Sequence, residues 1–244
     1  MQAPSRHVLL LRHAAVVLLA AALAWFLQPS LLQNLQSDYY TQVGEQRQIE
    51  LADGSHVLLN TDTAIALELT PHSRRVRLLR GEAYFEVAHA AQRPFWVIAN
   101  EVRTRVTGTS FSVGIHQGEV IVTVAQGRVE TSTQASASRA TTLKPGESAH
   151  YQGQQLTAVE QTDLRRALAW RQGLMVFVQA PLAEVVAEIN RYRPGHLLVT
   201  NSQLKNRPIT AVFSVQQIES AVTALETTLG IHTRRLSDYW VWLN

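Results

Sequence analysis

Hydrophobic and polar positions alternate with a period of two from about residue 41 to residue 152, which predicts β structure. Between residues 82 and 87, Ala83, Phe85 and Val87 fall on one face and Glu82, Tyr84 and Glu86 on the other. Val102, Thr104 and Val106 alternate with Arg103, Arg105 and Thr107, and Val120, Val122 and Val124 alternate with Ile121 and Thr123. Gly44, Asp53-Gly54, Gly81, Gly118, Gly127 and Pro145-Gly146 interrupt these runs at turn-like intervals. Many short strands without a helical pattern predict an all-β domain over residues 41–152: a sandwich, a jelly roll or a solenoid-like stack.

The period changes beyond residue 161. Leu164, Ala167 and Leu168 suit a short helix stopped by Gly173, so residues 153–173 are assigned to a helical linker. Residues 174–244 then run strand–helix–strand twice: 174–179, 181–191 and 196–200, followed by 208–213, 215–229 and 231–235, with 239–243 closing the chain. Leu182, Val185, Val186 and Ile189 recur at helical spacing, as do Ile218, Ala221, Val222, Leu225 and Leu229. Two β-α-β units predict a small α+β domain.

Ala14 to Leu27 is an unbroken apolar run. Its fourteen residues span about 21 Å as a helix, short of the roughly 30 Å of a bilayer core. Extension to Leu31-Leu32, or back to Val8 with Arg12 snorkelling, supplies the missing length. Arg6 and Arg12 precede the run and no Lys or Arg follows until Arg47, which places Met1 in the cytoplasm. No small-residue cleavage site follows Leu27, so the run is read as a transmembrane signal-anchor helix over residues 14–35. It leaves a short cytoplasmic stub at residues 1–13 and makes the whole a membrane-anchored, multi-domain chain.

Composition removes several classes of chemistry. A net charge of +3 from scattered basic residues gives no concentrated phosphate-binding stripe, so no nucleic acid is expected as a partner. The absence of cysteine removes disulfides, thiolate nucleophiles and Cys-based metal sites. The nine histidines lack metal-ligand spacing, and there is no Walker loop, G-x-G-x-x-G or G-x-S-x-G. No cofactor, metal or substrate turnover is expected. Glu82 and Glu86 lie about 13 Å apart along one strand, too far for a glycosidase pair. They are expected to face Arg103 and Arg105 in an exposed ion ladder worth about 0–1 kcal/mol per pair.

A series of motifs runs in fixed order through the β region: Leu51-Ala52-Asp53-Gly54-Ser55, Leu59-Asn60, Leu79-Arg80-Gly81-Glu82-Ala83-Tyr84-Phe85-Glu86-Val87, Arg93-Pro94-Phe95, Gly108-Thr109-Ser110-Phe111-Ser112-Val113 and Gly127-Arg128-Val129. This series resembles the periplasmic region of the FecR family, membrane-bound regulators of extracytoplasmic-function sigma factors. Leu182-Ala183-Glu184-Val185-Val186 and Asn190-Arg191-Tyr192 resemble the short signalling domain shared by secretins and TonB-dependent receptors.

The resemblance implies a single-pass protein of the bacterial inner membrane with its bulk in the periplasm. Its C-terminal domain would meet the signalling domain of an outer-membrane TonB-dependent siderophore receptor, and siderophore loading would be relayed to an extracytoplasmic-function sigma factor. Sigma binding in that family uses a folded cytoplasmic domain before the helix. Residues 1–13 are too few to bury a core, so this chain by itself is expected not to bind a sigma factor. The reading from another class is a cell-envelope structural or binding module without sigma-factor regulation. Receptor binding by residues 173–244 discriminates the two.

Two candidate sites follow. Family members resembling this one break at a Gly-Thr bond, which points to Gly108-Thr109: the Thr109 hydroxyl would attack the Gly108 carbonyl, and the resulting ester would hydrolyse. The plain alternative is a turn followed by a strand start. The second candidate is partner binding at residues 239–243. Here an open strand edge would accept a receptor strand, with Tyr239, Trp240 and Trp242 as anchors, unless the tryptophans pack on the domain's own helices.

Overall fold

The computed structural model describes residues 16–19, 21, 30–136, 139–231, 233–237 and 239–243. The stub at residues 1–13 and half of the anchor at 14–35 lie outside these. Among the described residues no helix is long and apolar enough to cross a membrane, and residues 30–35 are helical.

The β region holds β1 (Tyr39–Tyr40), β2 (Arg47–Glu50), β3 (His56–Leu59), β4 (Ala64–Leu69), β5 (Arg74–Glu86), β6 (Phe95–Ala99), β7 (Val102–Val106), β8 (Ser110–His116), β9 (Glu119–Gln126), β10 (Val129–Thr133), β11 (Thr141–Leu143), β12 (Glu147–Gln152) and β13 (Gln155–Gln161). They join into one curled sheet whose main path runs β11-β10-β7-β6-β5-β8-β9-β12-β13. Of the three architectures the alternation allowed, this is the sandwich, made by one sheet folded over on itself. Phe85 of one layer stacks on Phe111 with ring centroids 5.2 Å apart, and tilts against Phe95 of the other layer at 6.1 Å. Both layers share a single apolar core.

The thirteen-residue strand β5 belongs to both layers. Its first half pairs with β4 and β6, and its second half, from Gly81, pairs with β3 and β8. Arg74, Val76 and Leu78 point inward, whereas Ala83 and Phe85 do so beyond the bend. The inward parity therefore switches from even to odd between them. A register shift opposite Ala64 and Ile65 takes up the extra residue, as a β-bulge does. At the start of β5 the buried Arg74 pairs with Asp53 at 3.1 Å and donates to the carbonyls of Arg93 and Ala88. Asp53 also accepts from the Ser55 hydroxyl at 2.9 Å. The Asp-Gly-Ser and Arg-Pro-Phe motifs thus close one end of the sandwich.

Residues 155–161, assigned from sequence to a helical linker, instead form the exposed edge strand β13, paired with β12. The strand has no buried face, so it shows no alternation to read. Only Leu164–Ala167 (α1) and the 3-10 turn at Ala169–Gln172 are helical, ending at Gly173 in a left-handed conformation.

The C-terminal module contains β14 (Leu174–Pro181), α2 (Leu182–Tyr192), β15 (His196–Val199), α3 (Ser202–Lys205), β16 (Pro208–Ser214), α4 (Ile218–Leu229), β17 (Thr233–Ser237) and β18 (Trp240–Leu243). The two strands of each strand–helix–strand unit enter different sheets. β14 pairs with β16, while β18 lies between β15 and β17. Leu182, Val185 and Ile189 of α2 and Val222 and Leu225 of α4 fill a core separate from that of the β region.

Gly81 has φ +77°, and a Cβ there would overlap the Thr63 hydroxyl and come within 2.6 Å of the Asp62 carbonyl oxygen. Gly118, at φ +85°, faces open space. A left-handed non-glycine residue costs about 1–2 kcal/mol, so Gly118→Ala is expected to lose about that much in urea unfolding. Gly81→Ala is expected to lose at least about twice as much, because the overlap adds to the dihedral cost. Equal losses would show that the seal around Gly81 contributes nothing.

Candidate functional site

The polar face of β5 beyond the bend does not meet the arginines expected from sequence. Arg105 pairs with Glu130 on β10 at 2.7 Å, in the other layer. Glu82, Tyr84 and Glu86 instead receive arginines from the C-terminal part of the chain. Arg191 near the end of α2 reaches Glu82 at 2.9 Å, the Arg171 guanidinium lies 3.5 Å from the centre of the Tyr84 ring, and Arg171 also pairs with Glu86 at 3.1 Å. Tyr84, Leu168 and Trp170 pack together beside this row. The outward face of the motif is therefore the seat of the C-terminal module.

Glu82 is the centre of that seat. It is 7 % exposed, and each carboxylate oxygen is engaged. Oε2 accepts from Arg191 Nη2 at 2.9 Å and Asn60 Nδ2 at 3.0 Å, and Oε1 accepts from the Ser112 hydroxyl at 3.3 Å. His116 Nε2 stands 3.9 Å from Oε2, its ring occupying the space left by the missing side chain of Gly114. Asn60 extends the network by donating to the Tyr192 hydroxyl at 2.8 Å, while Thr61 donates to the Arg191 carbonyl at 2.9 Å. Gln46 ties Asn60 to the Trp170 carbonyl. Asn60, Glu82 and Ser112 come from three separate motifs and converge on one carboxylate.

The electrostatics follow from this geometry. Burial is the largest influence on Glu82 and pushes its pKa up. Arg191, His116 and the hydrogen bonds from Arg191 and Asn60 together outweigh it, so the carboxyl titrates below its ordinary value. Burial and the nearby Arg191 lower the pKa of His116 against the opposing pull of Glu82. Burial raises the Tyr192 hydroxyl well above its ordinary range. At neutral pH the Glu82 carboxylate faces the Arg191 guanidinium, which Glu188 also pairs at 2.8 Å, beside a neutral imidazole. Beside it opens a cleft of about 800 Å³ whose lining includes Glu82, His116, His150 and Arg191. Among the described residues no group of His, Cys, Asp and Glu is arranged to hold a metal.

The two sites expected from sequence lie elsewhere. Gly108-Thr109 precedes β8. Glycine is required there because a Cβ would come within 2.5 Å of His89 Nδ1, not because of a left-handed φ, which Gly108 does not adopt. Thr109 is buried and donates to the Arg128 carbonyl at 3.2 Å, and its own carbonyl accepts from Val87 N–H at 3.0 Å. The expectation that residues 239–243 form an open edge is corrected: β18 is the central strand of its sheet, hydrogen-bonded on both sides. Trp240 and Trp242 nevertheless share a face. Their rings stack at 6.5 Å, His196 lies 4.7 Å from Trp240, and Tyr239 and Trp240 are 53 % and 38 % exposed. The pairing of Glu82 with Arg191 was invisible in sequence, since 109 residues separate them.

Removing one member of a buried ion pair strands the other, at a cost of about 3–5 kcal/mol. Arg191→Ala, which strands the buried Glu82, is expected to cost about that in urea unfolding of the full chain, and Glu82→Ala less, because Arg191 is part-exposed and keeps Glu188. The double variant should cost less than their sum by about 1–3 kcal/mol; strict additivity would show that the two do not interact. The sign of the pH dependence follows from the shifts. The depressed pKa of His116 gives a contribution complete above its ordinary value of 6.5 and lost as pH falls below it. That of Glu82 is complete above 4.5 and lost as pH falls through its lower native value. Acid should therefore loosen the junction in two stages, and His116→Asn should remove the first.

Residues 37–130 match the family model described as "FecR protein". No curated protein matches the chain. Two crystal structures, each of a candidate anti-sigma factor from Parabacteroides distasonis ATCC 8503, are similar to it. One superposes with a TM-score of 0.70 at 24 % identity, covering 84 % of this chain and 97 % of that one. The other superposes with a TM-score of 0.69 at 25 % identity, covering 84 % and 96 %. The β region of the chain, over residues 37–130, thus matches the FecR family.

Proposed function

We propose that the protein is a sigma-factor regulator: a single-pass inner-membrane protein that relays a signal from a TonB-dependent siderophore receptor to an extracytoplasmic-function sigma factor. The observation that carries this reading is the buried Glu82–Arg191 pair, which seats the C-terminal module on the FecR region. A module joined only by a linker would bind a receptor without informing the rest of the chain; one joined through a buried ion pair transmits displacement. The likeness to candidate anti-sigma factors supports the sigma-factor side, since it covers 84 % of this chain and so extends past the FecR region. Arg6 and Arg12 before the apolar run support a cytoplasmic N-terminus.

The receptor would contact the face carrying Tyr239, Trp240 and Trp242, because exposed aromatics are frequent binding anchors. With β18 internal, strand addition would use the open edge of β17 or β15. Self-cleavage at Gly108-Thr109 belongs to the same proposal: the Thr109 hydroxyl attacks the Gly108 carbonyl, the C–N bond breaks to leave an ester and a free Thr109 amine, and water hydrolyses the ester. The pairing of β8 with β5 and of β10 with β7 would hold the fragments together after the cut.

In cells carrying the receptor, a sigma-dependent reporter and a version of the chain extended by a folded cytoplasmic sigma-binding domain, ligand loading should change reporter output, and Trp240→Ala should weaken binding to the purified receptor signalling domain about tenfold or more. Wild-type binding by Trp240→Ala together with a silent reporter would overturn the relay. Thr109→Ala should give one band where the wild type gives two, and Thr109→Ser should still cut. An uncut wild-type chain would reduce Gly108-Thr109 to a turn and a strand start.

A further inference from the structure

The residues on either side of Gly81 hold segments from opposite ends of the chain. Glu82 holds the C-terminal module through Arg191. Arg80, two positions earlier, holds the segment that follows the apolar run. Its Nη2 donates to Asn34 Oδ1 at 2.8 Å, and its Nη1 reaches the Ser30 carbonyl at 3.4 Å and Gln33 Oε1 at 3.5 Å. Gln33 returns a hydrogen bond to the Leu79 carbonyl at 3.2 Å. The attachments of the N-terminal helical segment and of the C-terminal module are thus about 7 Å apart along one strand.

The turn at residues 60–63 locks both attachments together, one residue at a time. Asn60 bonds Glu82 and Tyr192; Thr61 bonds the Arg191 carbonyl. Asp62, with φ +44°, pairs with Arg80 Nε at 2.8 Å. The Thr63 hydroxyl accepts from the Glu82 N–H at 3.0 Å. Gly81 is sealed against Asp62 and Thr63, so β5 cannot shift there without moving the turn.

We propose that Arg80-Gly81-Glu82 and the turn at 60–63 form a coupling device: release of Arg191 from Glu82 loosens the hold of Arg80 on residues 30–38. The physical cause is the stranded charge. Without Arg191 the Glu82 carboxylate is buried with no full cation beside it, and it must turn outward to be hydrated. That movement withdraws its bonds from Asn60 and disturbs the turn. Asp62 belongs to that turn, so the brace on Arg80 slackens and the 30–38 segment follows. By linkage the coupling runs equally from the membrane side to the C-terminal module. The relay reading gives this device its use, but the coupling is a property of the folded chain alone.

Amide hydrogen exchange on the full chain in detergent micelles tests it. Arg191→Met should speed exchange at residues 60–63 and 30–38 at least about threefold. Arg171→Met removes the Glu86 and Tyr84 contacts while leaving Arg80-Gly81-Glu82 intact; it should loosen residues 164–172 and leave 30–38 at wild-type rates. Glu82→Gln combined with Arg191→Met strands no buried charge, since Glu188, which also loses Arg191, is part-exposed, and it should return residues 30–38 towards wild-type protection. Unchanged exchange at 30–38 in Arg191→Met, or an equal effect from Arg171→Met, overturns the proposal. If Arg191→Met also loses protection in the core at residues 95–99, Arg80→Met carries the test from the other end. It should speed exchange at 60–63 and 188–192, and wild-type rates there overturn the proposal. A sigma-dependent reporter that stays silent while the exchange coupling is present would count against the relay and not against the device.

Discussion

A carboxylate removed from water must be given back its hydrogen bonds and a countercharge, and Glu82 finds them only by drawing on distant parts of the chain. Asn60 and Ser112 supply neutral donors from two neighbouring strands and turns of the sandwich, and the full positive charge comes from Arg191 on α2. The seat is therefore complete only when the C-terminal module is docked. Replacing such a pair with apolar residues is often tolerated, whereas breaking it is costly. That asymmetry means the junction holds the module in one arrangement only while both partners are present.

Strand β5 makes this demand consequential. Its first half is anchored by the buried Arg74–Asp53 pair, its bulge and bend at Gly81 carry the sheet from one layer to the other, and its second half presents the polar row to the C-terminal module. A change in how the module sits is thus applied at the point where the two layers exchange. The neutral His116 beside Glu82 adds an acid-sensitive element, because its protonation places a second positive charge next to Arg191. The tandem of arginine on carboxylate and arginine on aromatic ring, at Glu82, Tyr84 and Glu86, spreads the attachment along about 13 Å of strand.

Much of the fold was legible in sequence because alternation and helical spacing report burial directly. Ala83, Phe85 and Val87 are buried as expected, and Leu182, Val185, Val186 and Ile189 line the inner face of α2. What failed was pairing at a distance. Strand β14 joins β16 rather than β15, and β18 fills the centre of its sheet, because side-chain periodicity says which face is buried but not which neighbour covers it. Glu82 and Glu86 are expected from sequence to face Arg103 and Arg105 because those arginines form a row of opposite charge at the same period, which says nothing of whether the two rows meet. Strand β13 was missed because no residue of it is buried. The junction residues Asn60, Glu82, Arg191 and Tyr192 all stood within recognised motifs, yet nothing local says that two motifs 109 residues apart touch.

The chain has no cysteine, so two introduced at exposed sites label cleanly. Spin labels at Gln155→Cys on β13 and Gln203→Cys on α3 report the separation of the β region and the C-terminal module by pulsed electron paramagnetic resonance. The docked arrangement predicts one narrow distance distribution at neutral pH, broadening when Glu82→Ala is added. A broad distribution in the otherwise native chain, unchanged by Glu82→Ala, would contradict it.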